Sequence, residues 1–388
     1  MLFEIYDERE QTLLVDIRDQ LGWTRLRRIV AYHLPNAILW VLKEKKEMDI
    51  FNNFMVEVIF QLLAGLALMF AYVSIGAINN KIHLTVARMW YDFTEDIQNI
   101  ILVLVSKAVY IAIIQAVLLI TICAIYASAP ETIPFFMTFR SSGNQTFKIA
   151  LPLHHEFLID KDKYFYLIFT EQFLSLTDFD VLVAGMNFFY CSHLATIIGG
   201  FCGLEHLLKK LDDEYSYKIL VGDKNANEWF NLQLKDFIRY HQAIIDFYKI
   251  CNEVSSPIMF FLLIGSGCGI ILALTSIVLA MDTAMAATAK MVVGTLMATT
   301  LIIFICFPSQ LLKNASEDLL LTSYKLNYQN YPPKIRKTFL FIMMRAEKLF
   351  VLTAGPLIEL NFETCRSILK TSFSYTATFR SVYASNMN

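Results

Sequence analysis

Residues 100–126 read IILVLVSKAVYIAIIQAVLLITICAIY, with Lys107 as their one charged side chain. Twenty-seven residues at about 1.5 Å each make a helix of roughly 40 Å. That exceeds a hydrocarbon core of about 30 Å. Backbone groups in lipid have no water to bind, so such a stretch crosses as a helix. The same deficit of charge runs through the chain. Of 388 residues, 56% are hydrophobic and 18% charged, and mean hydropathy is +0.48. A soluble domain carries about 25% charged residues. The expected fold is therefore an all-α integral membrane protein.

Six further stretches complete a seven-helix reading. The first is Ile29 to Leu42, short and bracketed by Arg25, Arg27, Arg28 and Lys43, Lys45, Lys46. It borrows snorkelling flanks to span. The second runs from Phe54 to Ile78, and residues 100–126 are the third. The fourth runs from Phe165 towards Leu211, the fifth from Leu234 to Ala280, the sixth from Lys290 to Leu312 and the last from Phe362 to Tyr383. Helices four and five are about 45 residues long, roughly 68 Å, so each must project into water on one side. Their charged parts, about residues 205–250, are expected to pack as a helical layer. Pro257 with Gly265, Gly267 and Gly269 marks a kink in helix five.

Lysine and arginine set the orientation. Residues 202–249 and 313–348 are rich in both, whereas the polar stretch 128–163 has only Arg140, Lys148, Lys161 and Lys163. The loop near Met281 has only Lys290. The basic segments belong in the cytosol, which puts the amino terminus inside and the carboxyl terminus outside. Residues 1–28 are then a cytosolic segment, 29–312 the first six helices, 313–355 a cytosolic anchor region, and 356–388 the last helix with its outer tail. The acidic start, Met1 to Glu10, has no apolar core of a signal peptide. The sequon Asn144-Gln145-Thr146 lies in the outer loop and is an expected glycosylation site. Asn314-Ala315-Ser316 lies inside and should stay bare.

Net charge −2 argues against nucleic acid. Five of seven cysteines (Cys123, Cys191, Cys202, Cys268, Cys306) sit in apolar segments, without metal-ligand spacing. No cofactor, metal or catalytic constellation is expected, so the chain reads as no enzyme. His154 and His155 are in the outer loop, and His193 and His206 stand 13 residues apart. The inside amino terminus excludes a G-protein-coupled receptor, and paired broken helices of a transporter are missing. In the last helix Thr371, Ser374, Thr378 and Ser381 recur on one face. A hydroxyl stripe can line a water-filled pore or serve close helix packing. Glu57 can line a vestibule or reach headgroups.

The carboxyl-terminal part carries a set of motifs. Ile342-Met343-Met344-Arg345-Ala346 precedes Thr353-Ala354-Gly355, and the last helix reads Leu369-Lys370-Thr371-Ser372-Phe373-Ser374-Tyr375-Thr376-Ala377-Thr378-Phe379-Arg380. Tyr324 and Pro332-Pro333 stand upstream. Together these resemble the insect odorant receptors, although Tyr328 stands where a tryptophan is common. The related gustatory receptors end in a different pattern from Arg380-Ser381-Val382. The short linker near Gly222 to Asn227 differs from the long insertion of the family's co-receptor.

The resemblance implies a ligand-tuning subunit of an odorant-gated, poorly selective cation channel. It implies a hetero-oligomer, a tetramer with the co-receptor, in olfactory neuron membranes. A gustatory-type channel and a metabotropic seven-helix receptor are the alternatives. Alignment on Ser374-Tyr375 implies that Thr378 and Ser381 form the gate. It also implies a ligand pocket in the outer half of the bundle. Expected lining residues are Met55, Val58, Ile59 and Leu62 on helix two, and Gln115, Leu118 and Ile122 on helix three. Tyr166, Phe169, Thr170 and Phe173 follow on helix four, with Val293 and Met297 on helix six. An apolar pocket with few polar groups suits small neutral volatiles. Gln115 and Thr170 are the polar members, each in need of a partner.

Overall fold

The computed structural model describes residue 82 and residues 85–140, 163–280 and 285–387. Helices one and two of the sequence reading, Glu57, Asn144, His154, His155 and Met55, Val58, Ile59 and Leu62 lie outside the described residues. Residues 85–92 are helical. Four long helices follow: α1 (Glu95–Arg140), α2 (Phe165–Leu220), α3 (Ala226–Ala280) and α4 (Met285–Lys325). A 3-10 turn at Tyr328–Asn330 leads to α5 (Pro333–Ala346). A hairpin of β1 (Thr353–Ala354) and β2 (Ile358–Glu359) precedes α6 (Phe362–Met387). Among the described residues, Glu95–Ile125, Ala226–Val278 and Thr288–Lys325 are long and apolar enough to cross a bilayer.

Close approach at glycine fixes how the long helices pair. A Cβ on Gly199 would stand 2.9 Å from the Ile101 Cα, and one on Gly203 would stand 2.8 Å from Ile97 Cγ2. On the next face, a Cβ on Gly200 would stand 2.8 Å from Ile244 Cδ1. The bare glycines thus seat α2 between α1 and α3, both antiparallel to it. The α4 helix runs parallel to α2: the Tyr190 hydroxyl donates to the Ile305 carbonyl at 3.1 Å, and Thr322 Oγ1 donates to Glu205 Oε1 at 2.9 Å.

The ends of α2 and α3 do project beyond the apolar part and pack together. Tyr215 stacks on Phe230 at 4.4 Å, and Tyr331 meets Phe230 and Phe339 edge-on at 5.1 and 5.6 Å. Tyr331 donates its hydroxyl to buried Asp212, and Tyr215 donates to Asn227 Oδ1 at 2.8 Å. Burial first, and then the Asp212 carboxylate, push the Tyr331 phenol well above its ordinary value. At the rim, Lys210 donates to Asp96 at 2.7 Å, which holds that carboxyl below its ordinary range.

Several boundaries differ from the sequence reading. The stretch 128–163 was expected to be loop throughout, yet α1 continues through Pro130 and Pro134 to Arg140. A proline removes only its own hydrogen bond, so a ladder can resume beyond it. For the same reason α4 passes Pro308 and ends at Lys325 rather than Leu312, and α3 is continuous through Pro257. Within the expected anchor region 313–355, α5 ends at Ala346 and the strand pair begins at Thr353. Lys290, counted as a loop cation, lies within α4 and is buried. Gly355 sits at φ +65° in the hairpin.

Candidate functional site

The expected ligand residues separate by depth. The Gly199–Ile101 and Gly203–Ile97 contacts both pair positions of α1 and α2 that sum to 300. Gln115 therefore lies level with about residue 185 of α2, and Thr170 lies level with about residue 130 of α1. Fifteen residues of helix put roughly 22 Å between them. Thr170 is exposed, and its hydroxyl donates to its own helix at the Tyr166 carbonyl, 2.7 Å away. Its need for a partner is met there. Phe165, Phe169 and Phe173 stack along α2 with centroids 6.1 and 6.4 Å apart. Tyr166 and Leu118 face outward, and Ile122 and Val293 are half-buried.

Gln115 and Met297 belong to the bundle interior. Met297 packs on a cluster of Leu119, Val183 and Leu301, drawn from α1, α2 and α4. Gln115 is one turn below Leu119 and is 1% exposed. Neither of its amide atoms has a hydrogen-bond partner. Buried polar residues absent from the expected set include Gln172, Asn187 and Lys290. Asn187 is a single polar residue in an apolar run, a pattern that also describes ordinary helix packing.

A small cavity of about 30 Å³ opens further in, between α2 and α3. Met186, Phe189 and His193 line one wall, with Val254, Ser255 and Met259 on the other. None of the expected ligand residues among those described lines it.

The last helix, α6, touches its own bundle along a narrow edge. Cys365, Ser372 and Thr376 are buried, and Ile368 packs beside them. Thr371, Ser374, Thr378 and Ser381 are exposed. At 100° per residue they lie nearly opposite the packed edge. Ser374 donates to the Lys370 carbonyl at 2.9 Å, Thr378 to Ser374 at 3.0 Å, and Ser381 to Thr378 at 3.0 Å or less, namely 2.8 Å. Their protons are thus spent on the helix, and their lone pairs face outward.

The segment ahead of α6 is fastened to two long helices. Asn252 Oδ1 accepts the Thr353 N–H at 2.9 Å, and the Tyr248 hydroxyl donates to Val351 at 2.6 Å. Ser309 Oγ accepts the Leu352 N–H at 3.0 Å, and Ser316 Oγ accepts that of Phe350 at 3.2 Å. Sequence reasoning missed this strap, whose polar residues are scattered over 100 positions.

Comparison with known proteins agrees with this architecture. The insect olfactory receptor OR5 from Machilis hrabei, solved with eugenol, superimposes with a TM-score of 0.72 at 12% identity. The match covers 98% of this chain and 92% of that one. The same receptor in a second structure gives 0.63 at 12% identity, covering 97% and 89%. Odorant receptor 85c of Drosophila melanogaster is 20% identical over 221 residues. That match takes in 57% of this chain and spans about half, 53%, of the relative. A family model described as 7tm Odorant receptor matches residues 54–373. The chain therefore belongs to the insect odorant receptor family, a family of membrane receptors rather than enzymes.

Proposed function

We propose that the chain is the ligand-tuning subunit of an odorant-gated, non-selective cation channel. It assembles with the co-receptor subunit around one pore, as a tetramer, in the plasma membrane of olfactory sensory neurons. The amino terminus is cytosolic, the carboxyl terminus is outside, and the loop bearing Asn144 is extracellular and glycosylated. Seven helices span, and the charged halves of α2 and α3 with α5 form the cytosolic anchor.

The observation that carries the reading is the α6 stripe. Thr371, Ser374, Thr378 and Ser381 turn away from their own subunit and offer oxygen lone pairs to whatever faces them. Oxygen lone pairs replace part of a cation's hydration shell. The side of α6 away from its own subunit is where a shared pore would lie.

Ligands bind between α1, α2 and α4 with the helix that precedes them. Small neutral volatiles fit the mostly apolar surroundings, and the related OR5 was solved with one such molecule, eugenol. The test is expression with and without the co-receptor, recording current against a volatile panel. Current that needs both subunits supports the reading. Robust current from this chain alone favours a self-sufficient, gustatory-type channel. Signalling without any current favours a metabotropic receptor.

A further inference from the structure

We infer that Gln115 and Asn187 form a paired-amide station that recognises a hydroxyl group, so that the preferred ligands are neutral alcohols or phenols. The inference rests on the ligand-gated reading above and specifies its ligand class. Leu119, Val183 and Leu301 form one packed level of the bundle. One turn towards the glycine contacts, the same faces of α1 and α2 carry Gln115 and Asn187. Their numbers sum to 302, as do those of Leu119 and Val183, so the two amides lie at one depth. Both are buried, at 1% and 5% exposure.

Their hydrogen bonds are unmet. Gln115 Nε2 and Oε1 have no partner, and neither has Asn187 Nδ2. Leaving buried amides unpaired costs about 1–3 kcal/mol each, so such groups are rare and call for an explanation. Between them they offer amide donors and one acceptor, the Gln115 carbonyl oxygen. A hydroxyl both donates and accepts, and so engages both kinds at once. An ether or ketone can only accept and leaves Gln115 Oε1 unmet. A carboxylate or ammonium would bring a charge that no opposite charge among the described residues at this level repays. The apolar remainder of the ligand would lie against the Leu119, Val183, Met297 and Leu301 side.

The test uses the full chain in two assays. In cells with the co-receptor, currents are compared for octanol, octyl methyl ether and octane, and for phenylethanol and its methyl ether. Purified chain in detergent is screened with the same compounds by thermal shift. Each alcohol should act at concentrations roughly ten- to a hundredfold lower than its ether. Gln115→Met and Asn187→Leu should each abolish that preference, by weakening the alcohol responses more than the ether responses. Both variants should also raise the unfolding temperature of the ligand-free protein by a few degrees, because an orphaned amide is removed. A polar pair that merely held the helices together would lose stability instead. Alcohol-selective thermal shifts without current would keep this assignment and sink the channel reading. Currents indifferent to the hydroxyl, or a preference that survives both substitutions, would overturn the assignment alone.

Discussion

Gly355 donates its backbone N–H to the carbonyl of Ser256 at 3.1 Å, and Ser256 is the residue immediately before Pro257. The Ser256 hydroxyl in turn donates to the Gly355 carbonyl at 3.2 Å. This two-way contact sits where α3 lacks one of its own backbone donors. It holds the hairpin ahead of the last helix against the middle of α3. The segment leading into α6 is thus held by both α3 and α4.

Gly355 meets two demands at once. Its φ is +65°, and a Cβ there would stand 2.9 Å from Phe260 Cδ2. Gly355→Ala should cost about 1–3 kcal/mol in backbone strain and crowding, read as a lower unfolding temperature of the purified protein. Made in a Phe260→Ala background, the same glycine substitution should cost less but still lower the unfolding temperature, because the backbone conformation is still disfavoured. No further loss in that background would locate the whole cost in crowding.

Stability should fall in acid through His241. This imidazole is buried against Phe201, in the charged half of α3. Burial first, and then the Arg345 charge, lower its pKa from 6.5 to about 4. The unfolded chain binds a proton as pH falls through 6.5, and the folded chain does not until about 4. Stability is thus intact above 6.5 and is lost between those values, by about 3 kcal/mol in all. His241→Phe should flatten that part of the pH profile. An unchanged slope in the variant would assign the acid sensitivity elsewhere.

Assembly should depend on the outer face of α5. Leu340, Phe341 and Met344 are exposed there in the single chain, Phe341 at 61%. Phe341→Asp should abolish co-purification with the co-receptor, whereas Lys337→Glu on the same helix should have little effect. Normal co-purification of the Phe341 variant would remove α5 from the interface.

Orientation is open to a direct check with epitope tags on intact cells. A tag after Asn388 should be labelled, and one after Gly222, in the turn between α2 and α3, should be hidden. Reversed labelling would invert the topology.

The long helices were legible in the sequence because each apolar run far exceeds a bilayer, and excess length has to go into water. The start of α2 at Phe165 and the end of α3 at Ala280 follow from those runs. The ends of α1 and α4 did not, since both helices run on past their apolar runs into polar sequence, to Arg140 and Lys325. The site was harder. Which α1 residue lies level with which α2 residue is decided by the seating of Gly199 and Gly203 on Ile101 and Ile97, a contact no periodicity reveals. Gln115 and Thr170 consequently read as members of one pocket although they are far apart. Asn187 went unnoticed because one amide in an apolar run signals nothing until its burial and its missing partners are known. The α6 stripe was legible because hydroxyls at three- and four-residue spacing define a face without any partner helix.

The central claim is that this face of α6 lines the conduction path, and cysteine accessibility tests it most directly. Ser372 and Thr376 pack on the bundle, and Phe379, exposed in the single chain, follows them along the same side of α6, away from Thr378 and Ser381. Thr378→Cys and Ser381→Cys channels, expressed with the co-receptor, should react with a water-borne thiol reagent faster while odorant is present. The modification should block current, and Phe379→Cys should stay nearly inert in both states. Block through Phe379→Cys with silence at the other two positions would contradict the assigned face, and silence at all three would contradict a pore lined by α6.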